Sequence, residues 1–310
     1  MPERFNIDFE QTIPNTLVES FPNGIELWIK REDLLHPEVS GNKFRKLKYN
    51  LRAARESNYS RLLTFGGAYS NHITATAAAG KLFGFKTIGI IRGEELAAKP
   101  VNELNPSLQF AKECGMHLYY VSREEYRKKE NPDFIEKLKS EFGEFYLLPE
   151  GGTNSLAIKG CSEILNNKDS EFDFICSAVG TGGTLAGLIN SSKPHQKILG
   201  LSALNTEYLS GKISNRVSKN NWEIILNYHF GGYAKVNARL VEFINNFKEK
   251  YQIILDPVYT GKLLFGIFDL VEKNYFPENS KILAIHTGGL QGIKGMNENL
   301  KRKNLPEIKV

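Results

Sequence analysis

The chain has 310 residues, 41% of them hydrophobic, and its 40 Lys and Arg stand against 35 Asp and Glu for a formal charge of +5. That size buries a substantial core in one large or two modest domains, and interspersed charges of both signs leave no sustained basic stripe for nucleic acid. No run reaches the ~18 apolar residues of a membrane span, MPERFNIDFE lacks the succession of a secretion signal, and Cys114, Cys161 and Cys176 are too widely spaced for a disulfide framework or a CxxC metal site. A cytoplasmic protein with no metal centre, no membrane partner and no nucleic-acid partner is the expectation.

In chain order, β-rich runs stand at Ile25–Lys30, Arg61–Phe65, Lys86–Ile91, Phe174–Val179, Lys197–Ser202 and Ile282–His286. Several lead through Gly or Ser into a helical pattern, which is the rhythm of βαβ units in parallel sheets and makes the chain an α/β protein. Between the third and fourth runs, Arg123–Lys139 carries both signs around an Asn131-Pro132 break and reads as a solvated helical face. Lys301-Arg302-Lys303 reads as a surface tail. No repeat and no Pro-rich or Ser-rich linker interrupts the pattern, so a chain of two domains would cross between them near Lys46 and again near Pro149-Glu150-Gly151-Gly152.

Four strand-to-helix turns concentrate the chemistry: VSGNKFRKL (39–47), FGGAYSNH (65–72), VGTGGTLAG (179–187) and HTGGLQG (286–292). Glycine there permits positive φ and lets backbone amides approach a ligand, while each following helix adds partial positive charge. The Gly180-Thr181-Gly182-Gly183-Thr184 turn suits a phosphate or is simply tight. Leu185 replaces the third glycine of a dinucleotide fingerprint, and no Gly-Lys-Ser/Thr makes a Walker loop. Lys43 alone reads equally as a surface lysine. Crowded by Arg45, Lys46 and Lys48, and partly desolvated, it would instead have a depressed pKa and be able to bond an aldehyde.

The segments Ile29-Lys30-Arg31-Glu32-Asp33-Leu34, Gly41-Asn42-Lys43-Phe44-Arg45-Lys46-Leu47, Ser70-Asn71-His72, Gly180 to Thr184 and Asp256-Pro257-Val258-Tyr259 together resemble the 1-aminocyclopropane-1-carboxylate (ACC) deaminase and D-cysteine desulfhydrase family. That family lies among the tryptophan synthase β-like enzymes that use pyridoxal 5'-phosphate (PLP). The resemblance implies a two-domain fold of open twisted parallel sheets with helices on both faces. Residues 1–45 and 150–310 would form the large PLP-binding domain and 46–149 a smaller inserted one, in a homodimer. It implies that Lys43 bonds PLP, Asn71 meets its phenolic oxygen, Gly180, Thr181, Gly182, Gly183 and Thr184 take its phosphate, and Thr287 touches the cofactor. Ser70 would bind a substrate carboxylate or move a proton, with Asn71, His72 and Thr260 as further substrate contacts. Tyr259 and Tyr233 match the two active-site tyrosines, although Tyr233 also reads as an ordinary half-buried tyrosine. The His72 imidazole suits a structural use at the helix start as well as chemistry, and His286 reads as a support for its turn.

Two positions separate the branches of the family. ACC deaminases resemble DPVYEG and HLGG, whereas this chain has Thr260 in DPVYTG and Thr287 in HTGG. A carboxylate near the pyridine nitrogen strengthens the electron sink that opening a cyclopropane demands; threonine hydroxyls are weaker partners. The expected reaction is therefore α,β-elimination of D-cysteine to pyruvate, sulfide and ammonium. ACC deamination is the alternative, and a nucleotide-binding oxidoreductase the reading if no PLP binds. Tyr69 stands where relatives commonly have Gln and could reshape the substrate pocket.

Overall fold

In the computed structural model, residues 13–205 and 208–310 are described. Their strands build two separate sheets. The larger joins β1 (Asn15–Ser20), β2 (Glu26–Lys30), β7 (Phe174–Val179), β8 (Lys197–Ser202), β9 (Trp222–Ile225) and β10 (Lys281–Ile285) in the order β1-β2-β10-β7-β8-β9. Only the β1 edge is antiparallel. The smaller joins β3 (Arg61–Gly67), β4 (Lys86–Arg92), β5 (His117–Val121) and β6 (Tyr146–Leu148) in the order β5-β4-β3-β6, all parallel.

Apolar side chains alternate between the two faces of each sheet, because successive residues of a strand point opposite ways. In β10, Ile282 and Ala284 enter one core while Leu283 and Ile285 enter the other. In β3, Leu62 faces one side and Leu63 and Phe65 the other. Helices close both faces of both sheets. They run in chain order as α1 (Asn42–Glu56), α2 (Asn71–Phe83), α3 (Pro106–Glu113), α4 (Arg123–Arg127), α5 (Pro132–Phe142), α6 (Ser155–Cys161), α7 (Gly183–Ser191), α8 (Leu209–Ser214), α9 (Ala238–Tyr251), α10 (Thr260–Glu272) and α11 (Gly292–Arg302). The charged segment forms α4 and α5, and Asn131 caps the second with Pro132 in its first turn, where proline costs no hydrogen bond.

The sheets alternate with the course of the chain: β1 and β2 belong to the large sheet, β3 to β6 to the small one, and β7 to β10 to the large one again. A division at 45/46 would fall inside α1, whose Phe44, Leu47, Leu51 and Ala54 pack in the same core as Leu62 and Ile91 of the small sheet. As a proposal, the smaller unit begins at Asn42, so that α1 goes whole with the sheet it covers. Cys114, Cys161 and Cys176 are buried and free. No helix among the described residues is long and apolar enough to cross a membrane.

Candidate active site

The turns after β3, β7 and β10 and the turn into α1 converge on one cleft, at the carboxyl ends of strands where such sheets collect ligands. About 720 Å³ of space, including the mouth that opens to solvent, lies there. Gly41 allows α1 to start at this place. Its φ is +62°, and a Cβ would stand 2.0 Å from the Thr287 carbonyl oxygen. Asn42 then ties three segments together, its backbone N–H donating to Thr287 (3.3 Å) and its side-chain amide to Thr184 Oγ1 (2.8 Å).

The next residue, Lys43, extends into the cleft, and no hydrogen bond to its amine occurs among the described residues. Burial, with the charge of Lys46 second, holds its pKa well below the ordinary lysine value. An amine that sheds its proton readily is a nucleophile at neutral pH.

Lys46 lies one turn on and is 2% exposed. Its Nζ donates to the Gly151 carbonyl (2.9 Å) and Thr153 Oγ1 (3.0 Å) and reaches Thr181 Oγ1 at 3.5 Å. Thr153 and Thr181 share a hydrogen bond of 2.6 Å. This lysine therefore stands beside the Gly180–Thr184 turn, where Gly182 (φ +84°) caps α7 and directs its free amides into the cleft. A Cβ on Gly183 would stand 2.7 Å from Thr153. Amides, hydroxyls, a helix N-terminus and a buried ammonium make an anion cup.

Ser70 caps α2, its Oγ accepting the Ile73 N–H at 3.4 Å, and Asn71 and His72 follow on the cleft wall. His72 is 1% exposed and, among the described residues, neither ring nitrogen has a hydrogen-bond partner. Burial, then Lys43 and Lys46, holds its pKa well below the usual value, so the ring is neutral. It carries two buried polar atoms aimed at a space that a ligand can fill.

The opposite wall is aromatic. Tyr233 and Tyr259 meet edge to face with ring centroids 6.2 Å apart. Burial pushes both pKa values up, Tyr259 well above its ordinary value. A Cβ on Gly180 would lie 3.2 Å from the Tyr259 ring, so the turn and the ring are in close contact. The DPVY turn is shaped by Asp256, whose carboxylate accepts from the backbone amides of Val258, Tyr259 and Thr260 and from Thr260 Oγ1.

Thr260 is thereby accounted for. It is fully buried with its hydroxyl on Asp256, and it does not line the cleft, contrary to the substrate contact expected of it. Thr287 does line the cleft. His286 ties its turn to the segment before Asp256: Nε2 donates to the Ile254 carbonyl at 2.7 Å, and Nδ1 accepts from Gly288 N–H at 3.3 Å.

Three contributors escaped sequence reasoning as site residues. Asn42 and Lys46 were visible only as neighbours of Lys43, and Gly151-Gly152-Thr153 only as a domain crossing. The paired glycines were the available signal: both have φ +68°, and side chains there would strike Thr181 and His72.

The Tyr233 loop also depends on a buried cation. Phe230, Gly231, Gly232 and Ala234 all have positive φ, and Lys262 of α10, 2% exposed, donates to the His229 and Gly232 carbonyls at 2.8 Å each. Lys262→Met leaves both carbonyls without that donor, and a loss of ~1–3 kcal/mol is expected in denaturant titration. Burial lowers the amine's pKa from 10.5 to about 8 in the folded chain. The cost of carrying its charge is fully present below the folded value and relieved as the pH climbs through the window between the two. Wild type should therefore gain stability relative to Lys262→Met across that window; a difference independent of pH would mean that the amine titrates normally.

Comparison with known proteins places this geometry. The family model described as pyridoxal-phosphate dependent enzyme matches residues 11–288. A bifunctional D-cysteine desulfhydrase/1-aminocyclopropane-1-carboxylate deaminase of Arabidopsis thaliana is 34% identical over 299 residues, 88% of this chain and 74% of that protein. A putative 1-aminocyclopropane-1-carboxylate deaminase of Thermotoga maritima is 34% identical over 300 residues, covering 89% and 93%. The solved structure of an ACC deaminase homologue superposes with a TM-score of 0.81 at 28% identity, over 97% of this chain and 99% of that one. The cleft suits a phosphorylated aldehyde on its own terms, with an anion cup at Gly180–Thr184 with Lys46 and, among the described residues, no hydrogen-bond partner for the Lys43 amine or either His72 nitrogen.

Proposed function

Because the chain belongs to the pyridoxal-phosphate-dependent enzyme family, we propose that it eliminates the β-substituent of a small amino acid, with D-cysteine going to pyruvate, sulfide and ammonium. The observation that carries the choice is the lining of the cleft: among the described residues, it contains no Asp or Glu side chain. Asp256, which shapes the turn into Tyr259, is 1% exposed and its carboxylate is saturated by four hydrogen bonds. With no carboxylate to hold a ring nitrogen protonated, the site suits a substrate whose leaving group departs easily, as a thiol does. The Arabidopsis relative is a D-cysteine desulfhydrase as well as an ACC deaminase by name, and the choice of the D isomer rests on that likeness.

Lys43 would hold the aldehyde, Asn71 the phenolic oxygen, and the Gly180–Thr184 amides with Lys46 the phosphate. When bound, pyridoxal phosphate supplies the electron sink that makes an amino acid's α-proton acidic. Lys43 Nζ, with its lowered pKa, is then the base that accepts the proton from Cα. The amides at the start of α2, with Ser70, receive the substrate carboxylate. Tyr259 keeps its phenolic proton at neutral pH and offers it, with Tyr233, to the departing sulfur.

The test is a yellow holoprotein whose spectrum changes on borohydride reduction, with the label recovered on the Lys43 peptide. Supplied separately with D-cysteine, L-cysteine, D-serine and ACC, it should release pyruvate fastest from D-cysteine and little 2-oxobutyrate from ACC. Robust ACC deamination would overturn the substrate assignment.

A further inference from the structure

Beside the cofactor cleft lies a second chamber, open to solvent, with about 1020 Å³ of space including its mouth. The two share Asn71, Tyr233 and Gly289 in their linings, so they adjoin at these three residues. Val236, Pro257, Val258, Met296 and Leu300 give the chamber an apolar wall, with Asn299 beside them. Lys235 and Lys303, both exposed, also line it, and neither has an ion-pair partner among the described residues. The one carboxylate in its lining is Asp256, already saturated. Tyr69 completes the wall, and it fits because Gly295 of α11 has no side chain: a Cβ there would stand 2.8 Å from the Tyr69 ring.

A sulfide leaving group is a single heavy atom and has no use for such a space. We propose that the chamber receives the β-substituent of an S-substituted cysteine, one with an apolar body and an anionic end that meets Lys235 and Lys303. The proposal rests on the elimination reading above. The reaction is R–S–CH2–CH(NH3⁺)–COO⁻ + H2O → R–SH + CH3–CO–COO⁻ + NH4⁺. The proton on Cα goes to Lys43 Nζ, and the Cβ–S bond breaks with its electron pair on sulfur. Sulfur takes a proton, and water converts the remaining three-carbon unit to pyruvate and ammonium. No oxidant or reductant enters. Apolar burial supplies the affinity, and the two ammonium groups select the terminus.

The test gives the holoenzyme D-cysteine, S-benzyl-D-cysteine and S-(4-carboxybenzyl)-D-cysteine, and follows pyruvate and thiol release together with cofactor absorbance. The carboxybenzyl conjugate should exceed D-cysteine in kcat/KM by at least ~10-fold, the scale set by one or two buried methylenes. Val236→Trp fills the chamber and should cost both conjugates at least ~10-fold while leaving D-cysteine within about two-fold. Lys303→Glu, at an exposed position and so safe for folding, should weaken the carboxybenzyl conjugate and spare the benzyl one. Turnover of D-cysteine without the conjugates, or equal losses on all three substrates in either variant, would overturn the chamber's role. If none of the three amino acids perturbs the cofactor absorbance, it is the elimination reading itself that fails.

Discussion

Lys43→Ala is expected to reduce pyruvate release by several orders of magnitude. The proposed chemistry asks two things of one amine: to bond the cofactor's aldehyde and to accept the proton from Cα. Losing proton transfer alone costs ~10²–10⁴-fold, and losing the covalent anchor adds to it. The fold should be untouched, since the amine makes no hydrogen bond among the described residues and its desolvation opposes charge rather than supporting structure. Melting temperature without cofactor, measured beside turnover, separates the two effects. A variant that kept near-normal turnover would remove Lys43 from the mechanism.

The second large effect is expected at Lys46, whose ammonium is buried at the glycine turn with, among the described residues, carbonyl and hydroxyl oxygens as its hydrogen-bond partners. Burial lowers its pKa, which is the signature of a cation held where its charge is costly unless an anion joins it. Lys46→Met keeps the length and apolar body of the side chain while deleting the charge. A charge-assisted hydrogen bond is worth ~1.5–3 kcal/mol, so the cofactor dissociation constant should rise by about 10- to 150-fold. Fluorescence titration of the apoprotein with pyridoxal phosphate, against pyridoxal without the phosphate, isolates the contribution. The loss should appear with the first ligand and nearly vanish with the second; equal losses with both would place Lys46 elsewhere in recognition.

Both variants probe one side of an arrangement that the other side completes. The amine and the anion cup stand on α1 and α7, the neutral His72 on α2, and the paired phenols on the Tyr233 loop and the start of α10. No single segment makes a site. Asn42, bonded at once to the Thr287 carbonyl and to Thr184, joins three of the four glycine-containing turns directly, and the Ser70–His72 turn closes the cleft from the small sheet.

By itself the sequence determined the local events. Alternating and continuous apolar runs specify buried strands because a strand points successive side chains to opposite faces, and Phe174–Val179 and Lys197–Ser202 are strands with those bounds. The Asn-Pro break specifies where α5 starts, because asparagine caps and proline fits a first turn. Each glycine turn was legible for the same reason, that only glycine takes such conformations freely. The strands β1, β5, β6 and β9 were not legible: their side chains are largely half-exposed or exposed, so no buried apolar run marks them. Only the tertiary structure decided which hydroxyl faces the cleft. Thr260 and Thr287 look alike in sequence, yet one is consumed by Asp256 within its own turn while the other lines the cofactor space. The same holds for Lys46 and Lys43, three residues apart on one helix, where packing around α1 ties one ammonium to the anion cup and leaves the other amine free to react. A hydrogen-bond partner from a distant segment is a property of assembled sheets, and local sequence carries no record of it.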